Sequence, residues 1–196
     1  MFASHSISLL QRDAFGVISA VFVLVLAWVV VRNIDRQRSK SKRLRSTIGI
    51  GLQSIGIAAA FIGFTKPELP WWAPYSLVST IFVVLLGGTA VALFLSAAAT
   101  MGKNWSIIGR TRMDHQLVRT GPFAIVRHPI YLALLLYMLS MAAALGHWQQ
   151  LLIAMPLYLA GTFIRIREEE VLLRAQFGEE HARYAREVRA LIPLIL

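Results

Sequence analysis

Five almost purely apolar stretches, separated by short basic or proline-rich segments, constrain this chain more than any other feature. They cover residues 14–31, 48–64, 77–99, 129–145 and 151–164. A helix needs roughly 20 apolar residues to cross the hydrocarbon core of a bilayer. The last two stretches are short by that measure. Only Gly146-His147-Trp148-Gln149-Gln150 joins them, so they form an antiparallel helical hairpin. Only 15% of residues are charged and 57% are hydrophobic, whereas soluble domains carry about 25% charged residues. The expectation is an all-α polytopic membrane protein with about five transmembrane helices. It forms one domain over residues 1–196, with three helices in 1–100. Residues 101–196 hold a polar loop, the hairpin and an amphipathic tail. The first stretch has no small-residue cleavage site after it and reads as a retained helix.

Basic residues set the expected orientation. Arg32, Arg36, Arg38, Lys40, Lys42, Arg43 and Arg45 follow the first stretch. Lys103, Arg110, Arg112, Arg119 and Arg127 precede the fourth, and Arg165, Arg167, Arg174, Arg183, Arg186 and Arg189 follow the fifth. Five spans put all three groups on one side, leaving Arg12 and Lys66 on the other. The positive-inside rule then predicts the N-terminus outside and the C-terminus in the cytoplasm. Trp71 and Trp72, among prolines, suit an outer aromatic belt. The net charge of +10 is accounted for by topology and anionic headgroups, so nucleic acid is not an expected partner. Membrane lipids are, and the oligomeric state is left open. With no cysteine, thiol catalysis and cysteine-based metal sites are excluded. Gly88, Ala92, Ser96 and Thr100 give the third helix a small-residue face, expected to pack within the chain. Pro156 is expected to kink the fifth helix. Gly178 should break the tail, whose Val171, Leu172, Ala175, Tyr184 and Val188 form an apolar face.

Charge gathers in two places. Arg127-His128-Pro129 closes a long polar loop, and proline suits the first turn of a helix. The helix starting at Pro129 therefore turns free amides and its positive end toward the boundary, beside Arg127, where a carboxylate or phosphate is stabilised. Arg165-Ile166-Arg167-Glu168-Glu169-Glu170 ends the hairpin. Arg165 and Glu169 are four apart and share a helix face, so they either pair with each other or serve a ligand. Charge at a lipid boundary is costly and implies a partner or a task. A boundary cation suits an anionic group on a lipophilic substrate, and carboxylates suit a cationic or hydroxyl-bearing cofactor. His147, His5 and His181 are expected to be solvated and Asp114 to be a turn residue. No spacing makes a zinc or magnesium site.

Asn104-Trp105-Ser106, His115-Gln116-Leu117-Val118, Gly121-Pro122-Phe123, Arg127-His128-Pro129-Ile130-Tyr131 and Arg165 with Glu169-Glu170 follow one another in order. Phe177-Gly178-Glu179-Glu180, Tyr184 and Ile192-Pro193 come after them. This ordered set, over residues 102–193, resembles the isoprenylcysteine carboxyl methyltransferase family and related membrane phospholipid methyltransferases, in their compact prokaryotic form. The resemblance implies S-adenosyl-L-methionine as cofactor, in a cytoplasm-facing pocket of a prokaryotic inner-membrane protein. It implies that His115, Gln116, Leu117, Val118, Phe123, Arg127, His128, Pro129, Ile130 and Glu169 line the cofactor site. It assigns Arg165, with Tyr131 beside it, to the substrate, and makes Arg165, Glu169 and His128 the catalytic set. The acceptor it implies is the carboxylate of an isoprenylcysteine-like lipophilic molecule. Phe123 stands where tyrosine is commoner, and Ala133 where glycine is. Rival expectations are a phospholipid or other isoprenoid methyltransferase, a non-catalytic membrane binding or assembly protein, and a membrane reductase.

Overall fold

A computed structural model describes residues 7–32, 44–63, 68–69, 74–102 and 117–192. The motifs at 104–106 and 115–116, Trp71 and Trp72, His5, Asp114 and Pro193 lie outside them. The described residues are overwhelmingly helical. The long elements are α1 (Leu9–Arg32), α2 (Leu44–Phe61), α3 (Pro74–Met101), α4 (Pro129–Leu145) and α5 (Leu151–Glu187). Two-residue strands β1 (Ile7–Ser8) and β2 (Glu68–Leu69) pair in parallel ahead of α1 and α3. Two helices, Leu9–Arg32 and Tyr75–Met101, are long and apolar enough to cross a membrane by length and composition, and Pro129–Leu145 is a shorter apolar helix.

Successive helices run in alternating directions. At one end the α1 Gln11 side-chain amide donates to the carbonyls of Ala143 and Ala144 at the end of α4. There the Ser8 and Ser76 hydroxyls share a hydrogen bond at 2.5 Å. At the other end, Val29 of α1, Ala98 of α3 and Ala133 of α4 pack together, close to the charged clusters. Phe15, Val83, Met138, Met141 and Tyr158 centre the main core. Around them Val17, Leu24, Leu77, Leu85, Leu152 and Ile153 remain largely exposed, an apolar exterior of the kind lipid covers.

Three features differ from the sequence-based expectation. Gly88, Ala92 and Ser96 face outward, and a side chain at Gly88 would meet nothing within 4 Å. The packed face of α3 instead carries Val83, Ala90, Phe94 and Ala97. Pro156 leaves α5 helical, since the residue with non-helical dihedrals inside it is Gly178. Pro156 lies in the second turn, where few ladder bonds precede it. Finally, the fifth stretch does not end at the charged run Arg165–Glu170 but continues as helix to Gly178, where the expected break occurs. The 17 residues of α4 span about 26 Å and the 27 of α5 before Gly178 about 40 Å at 1.5 Å per residue. The second half of α5 therefore projects well beyond its hairpin partner.

Gly178 ends that projection. Its φ of 50° and ψ of −122° fall where a side chain is strongly disfavoured, and the chain turns back. Leu191 then packs beside Tyr131 and Ile166. Val126 bridges Arg189 in parallel, and the amides of Arg127 and His128 donate to the carbonyls of Arg189 and Ala190 at 2.8 and 2.9 Å.

Candidate active site

The return of the tail encloses a cluster built from the start of α4 and the middle of α5. His128 caps α4, and its amide is already held by the tail. Its ring is 6% exposed as a residue and lies between two carboxylates. Nδ1 is 3.3 Å from Glu169 Oε2 and Nε2 is 3.0 Å from Glu170 Oε1. One turn into α4, the Tyr131 hydroxyl donates a short hydrogen bond to Glu169. The same Glu169 oxygen lies 3.5 Å from an Arg165 terminal nitrogen. The Arg165 guanidinium carbon sits 5.1 Å from the centre of the Tyr131 ring, a cation–π contact. Tyr158 secures this corner by donating to the Tyr131 carbonyl at 2.6 Å.

Burial and charge act against each other here. Burial would lower the His128 imidazole, but Glu169 and Glu170 against its two nitrogens outweigh that and raise it. For Glu169, burial works upward, and His128 and Arg165 bring the carboxyl below its usual range. Glu170, similarly opposed by burial, is held by His128 and Arg127 at about 2. The cluster thus holds ionised carboxylates against cations in a largely desolvated place, where such interactions are strong.

Arg127 has partners of its own. Its Nε donates to Glu170 at 2.8 Å, and one terminal nitrogen donates to the carbonyls of Ala185 and Val188. It pins the returning tail to α5. Pro129 and Ile130 open α4, but Ile130 packs with the apolar cluster of Phe22, Val29 and Phe94. Phe123 is buried in a short 3-10 turn, Gly121–Ala124, and its carbonyl accepts from Tyr184 at 2.6 Å. Leu117 and Val118 are half-buried in the irregular segment leading to that turn. The structure thus unites His128, Tyr131, Arg165 and Glu169, and adds Glu170 as the bridge to Arg127.

Two histidines contradict the sequence reading. His181, expected to be solvated, is fully buried, with Nε2 3.4 Å from Glu170 Oε2. Burial lowers its imidazole, the Glu170 charge works upward, and the Arg127 and Arg174 charges add to the lowering. The fold-back at Gly178 carries it inside. His147 is buried at the opposite end, its Nδ1 3.2 Å from the Ala60 carbonyl, so it ties the hairpin turn to α2. Neither shows a sequence signal beyond an isolated polar residue.

Comparison with known proteins meets this geometry directly. The isoprenylcysteine carboxyl methyltransferase (ICMT) family profile matches residues 80–175. That stretch contains His128, Tyr131, Arg165, Glu169 and Glu170, the centre of the charged cluster. Nearly half of the chain is similar to this family. A protein-S-isoprenylcysteine O-methyltransferase of Schizosaccharomyces pombe is 30% identical over 130 residues, 62% of this chain and 55% of that protein. The chain thus spans about half the length of the curated relative it matches. The similarity to the isoprenylcysteine carboxyl methyltransferase family accords with the apolar exterior, and the matched region ends within α5, before Gly178. The returning tail, with His181 and Tyr184, lies beyond it.

Proposed function

We propose that this protein transfers a methyl group from S-adenosyl-L-methionine to a lipophilic acceptor at a membrane surface. The acceptor class is the carboxylate of an isoprenylcysteine-like thioether. The observation that carries the proposal is the convergence of His128, Tyr131, Arg165, Glu169 and Glu170 at one end of an apolar bundle, inside the family-matched stretch. In this reading the bundle crosses the bilayer five times. Its N-terminus lies outside, and the charged end faces the cytoplasm, in the inner membrane of a prokaryote.

The donor set fits the cofactor. Glu169 and Glu170 keep side-chain exposures of 24% and 17%, so both reach the edge of the cluster. Carboxylates there accept from an amine or ribose hydroxyls, the cationic His128 complements a carboxylate, and the Phe123 ring, five positions before His128 in the chain, would supply an aromatic or sulfonium contact. Leu117, Val118 and Pro129 would supply apolar walls, and His115, Gln116 and Ile130 are assigned to the same site by the resemblance alone. When bound, the cofactor supplies an electrophilic methyl group.

The chain's own residues then position rather than transfer protons. Arg165 holds the acceptor carboxylate ionised and aims one oxygen. An ionised carboxylate needs no general base, which fits a cluster in which both Glu169 and Glu170 are already committed to cations. Tyr131 keeps Glu169 from swinging onto the acceptor's position, and the tail packed over Tyr131 excludes water. The ester product is uncharged, so it loses the attraction to Arg165 and returns to lipid.

The test is methyl transfer from labelled cofactor to an S-farnesyl or S-geranylgeranyl cysteine derivative in vesicles carrying the purified protein. Base-labile label on the lipid supports a carboxyl ester. Label that resists base and appears on a phosphatidylethanolamine control instead assigns the protein to amine methylation.

A further inference from the structure

The proposed acceptor-binding residue, Arg165, is set in place by a helix outside the family-matched stretch. Ser46, Gly49, Gln53, Gly56 and Ala60 recur at helical spacing and are all buried, so they form the face of α2 turned to α5. The crossing is tight at every level. A methyl group at Gly56 would stand 2.8 Å from the Tyr158 amide nitrogen, and one at Gly161 would stand 2.6 Å from the Gly49 carbonyl. Gln53 donates to the Thr162 hydroxyl at 2.9 Å, which fixes the register of the two helices.

At Gly49 the neighbour is Arg165 itself. A β-carbon there would lie 2.6 Å from Arg165 Cγ, 3.5 Å from its Cδ and 2.9 Å from the Gly161 carbonyl oxygen. Cγ is the root of the side chain, so it cannot yield as a flexible tip does, and the carbonyl is backbone. The arginine stem therefore runs across the bare backbone of α2. That route delivers its guanidinium over the Tyr131 ring and to Glu169.

We infer that Gly49 is a positioning residue for the proposed reaction, which holds the stem of Arg165 so that its guanidinium meets the acceptor carboxylate. This rests on the acceptor role given to Arg165 above. Any side chain at position 49 displaces that stem, and a displacement of about 1 Å at a positioned group costs up to about a hundredfold in rate. Cofactor contacts, formed by other residues, are left in place.

The experiment is Gly49→Ala, alone and combined with Arg165→Ala, which deletes Cγ. The single variant is expected to raise the acceptor KM about tenfold and to leave the Kd for S-adenosylhomocysteine within twofold. In the double variant, Gly49→Ala adds less than threefold to the loss caused by Arg165→Ala, the remainder coming from its contact with the Gly161 carbonyl. A further tenfold loss in the double variant, or equal loss of cofactor affinity in the single one, overturns the inference. A second readout holds whether or not the protein methylates anything. Phenylglyoxal labelling followed by peptide mass spectrometry should modify Arg165 several-fold faster in Gly49→Ala than in wild type, with Arg127 unchanged. Unchanged labelling at Arg165 overturns the role of Gly49. An inactive wild-type protein in which labelling does accelerate overturns only the proposed function.

Discussion

His128 Nε2 lies 3.0 Å from Glu170 Oε1, and Arg127 Nε reaches the same oxygen at 2.8 Å. Two consecutive residues before α4 thus share one carboxylate of α5. Removing one member of a buried charge cluster strands the others, at about 3 kcal/mol or more. Glu170→Gln is accordingly expected to lower the unfolding midpoint of detergent-solubilised protein by many degrees. Glu168→Gln, whose parent contacts the exposed Arg45 at 3.6 Å, should change it little.

Stability should fall in acid. Glu170 is held at about 2 and Glu169 is also lowered, so folding favours their ionised forms. Their contribution is complete above the unfolded carboxyl range, near 4.3, and is lost as pH drops toward 2. Glu170→Gln should flatten this acid limb in a series of thermal midpoints. An unchanged limb would mean that other carboxylates govern it.

The two histidines of the cluster should act in opposite directions near neutrality. His128 is raised, so its stabilisation is full below about 6.5 and fades as pH climbs through its folded value. His181 is lowered, so its contribution is full above about 6.5 and fades as pH falls. His128→Asn should remove the alkaline decline, and His181→Asn the decline from 6.5 downward. Midpoints measured from pH 5 to 9 distinguish the two.

The tail should detach when its anchors are cut. The Tyr184 hydroxyl donates to the Phe123 carbonyl in a buried setting, and Tyr184→Phe leaves that acceptor unpaired at a cost of about 1–3 kcal/mol. Gly178→Ala forces a side chain into a disfavoured conformation at a similar cost of about 1–3 kcal/mol. Trypsin should cut the 183–189 region of either variant faster than wild type. Equal cutting rates would show that Leu191 packing and the bonds from Arg127 and His128 retain the tail without these two anchors.

Much of this architecture was legible in the sequence because apolar runs leave few options. Residues 14–31, 77–99 and 129–145 fall within α1, α3 and α4, and the pairing of Arg165 with Glu169 follows from their four-residue spacing. The continuity of α5 was hidden. Arg165–Glu170 looks like the end of a span, yet arginine and glutamate are both good helix formers. His181 was misread for a related reason. The break at Gly178 was legible, but the local pattern does not say which way the chain turns there, and only that turn brings His181 to a carboxylate eleven positions earlier. The outward Gly88 stripe shows the same limit, since small residues signal that a close approach is permitted and not that it occurs.

The most direct test of the central claim is calorimetric titration of S-adenosylmethionine and S-adenosylhomocysteine into detergent-purified protein, beside Glu169→Ala. The account predicts micromolar binding of both to the wild type and its loss in the variant. Well-folded wild-type protein that binds neither ligand, or a variant that binds as tightly as its parent, would contradict it.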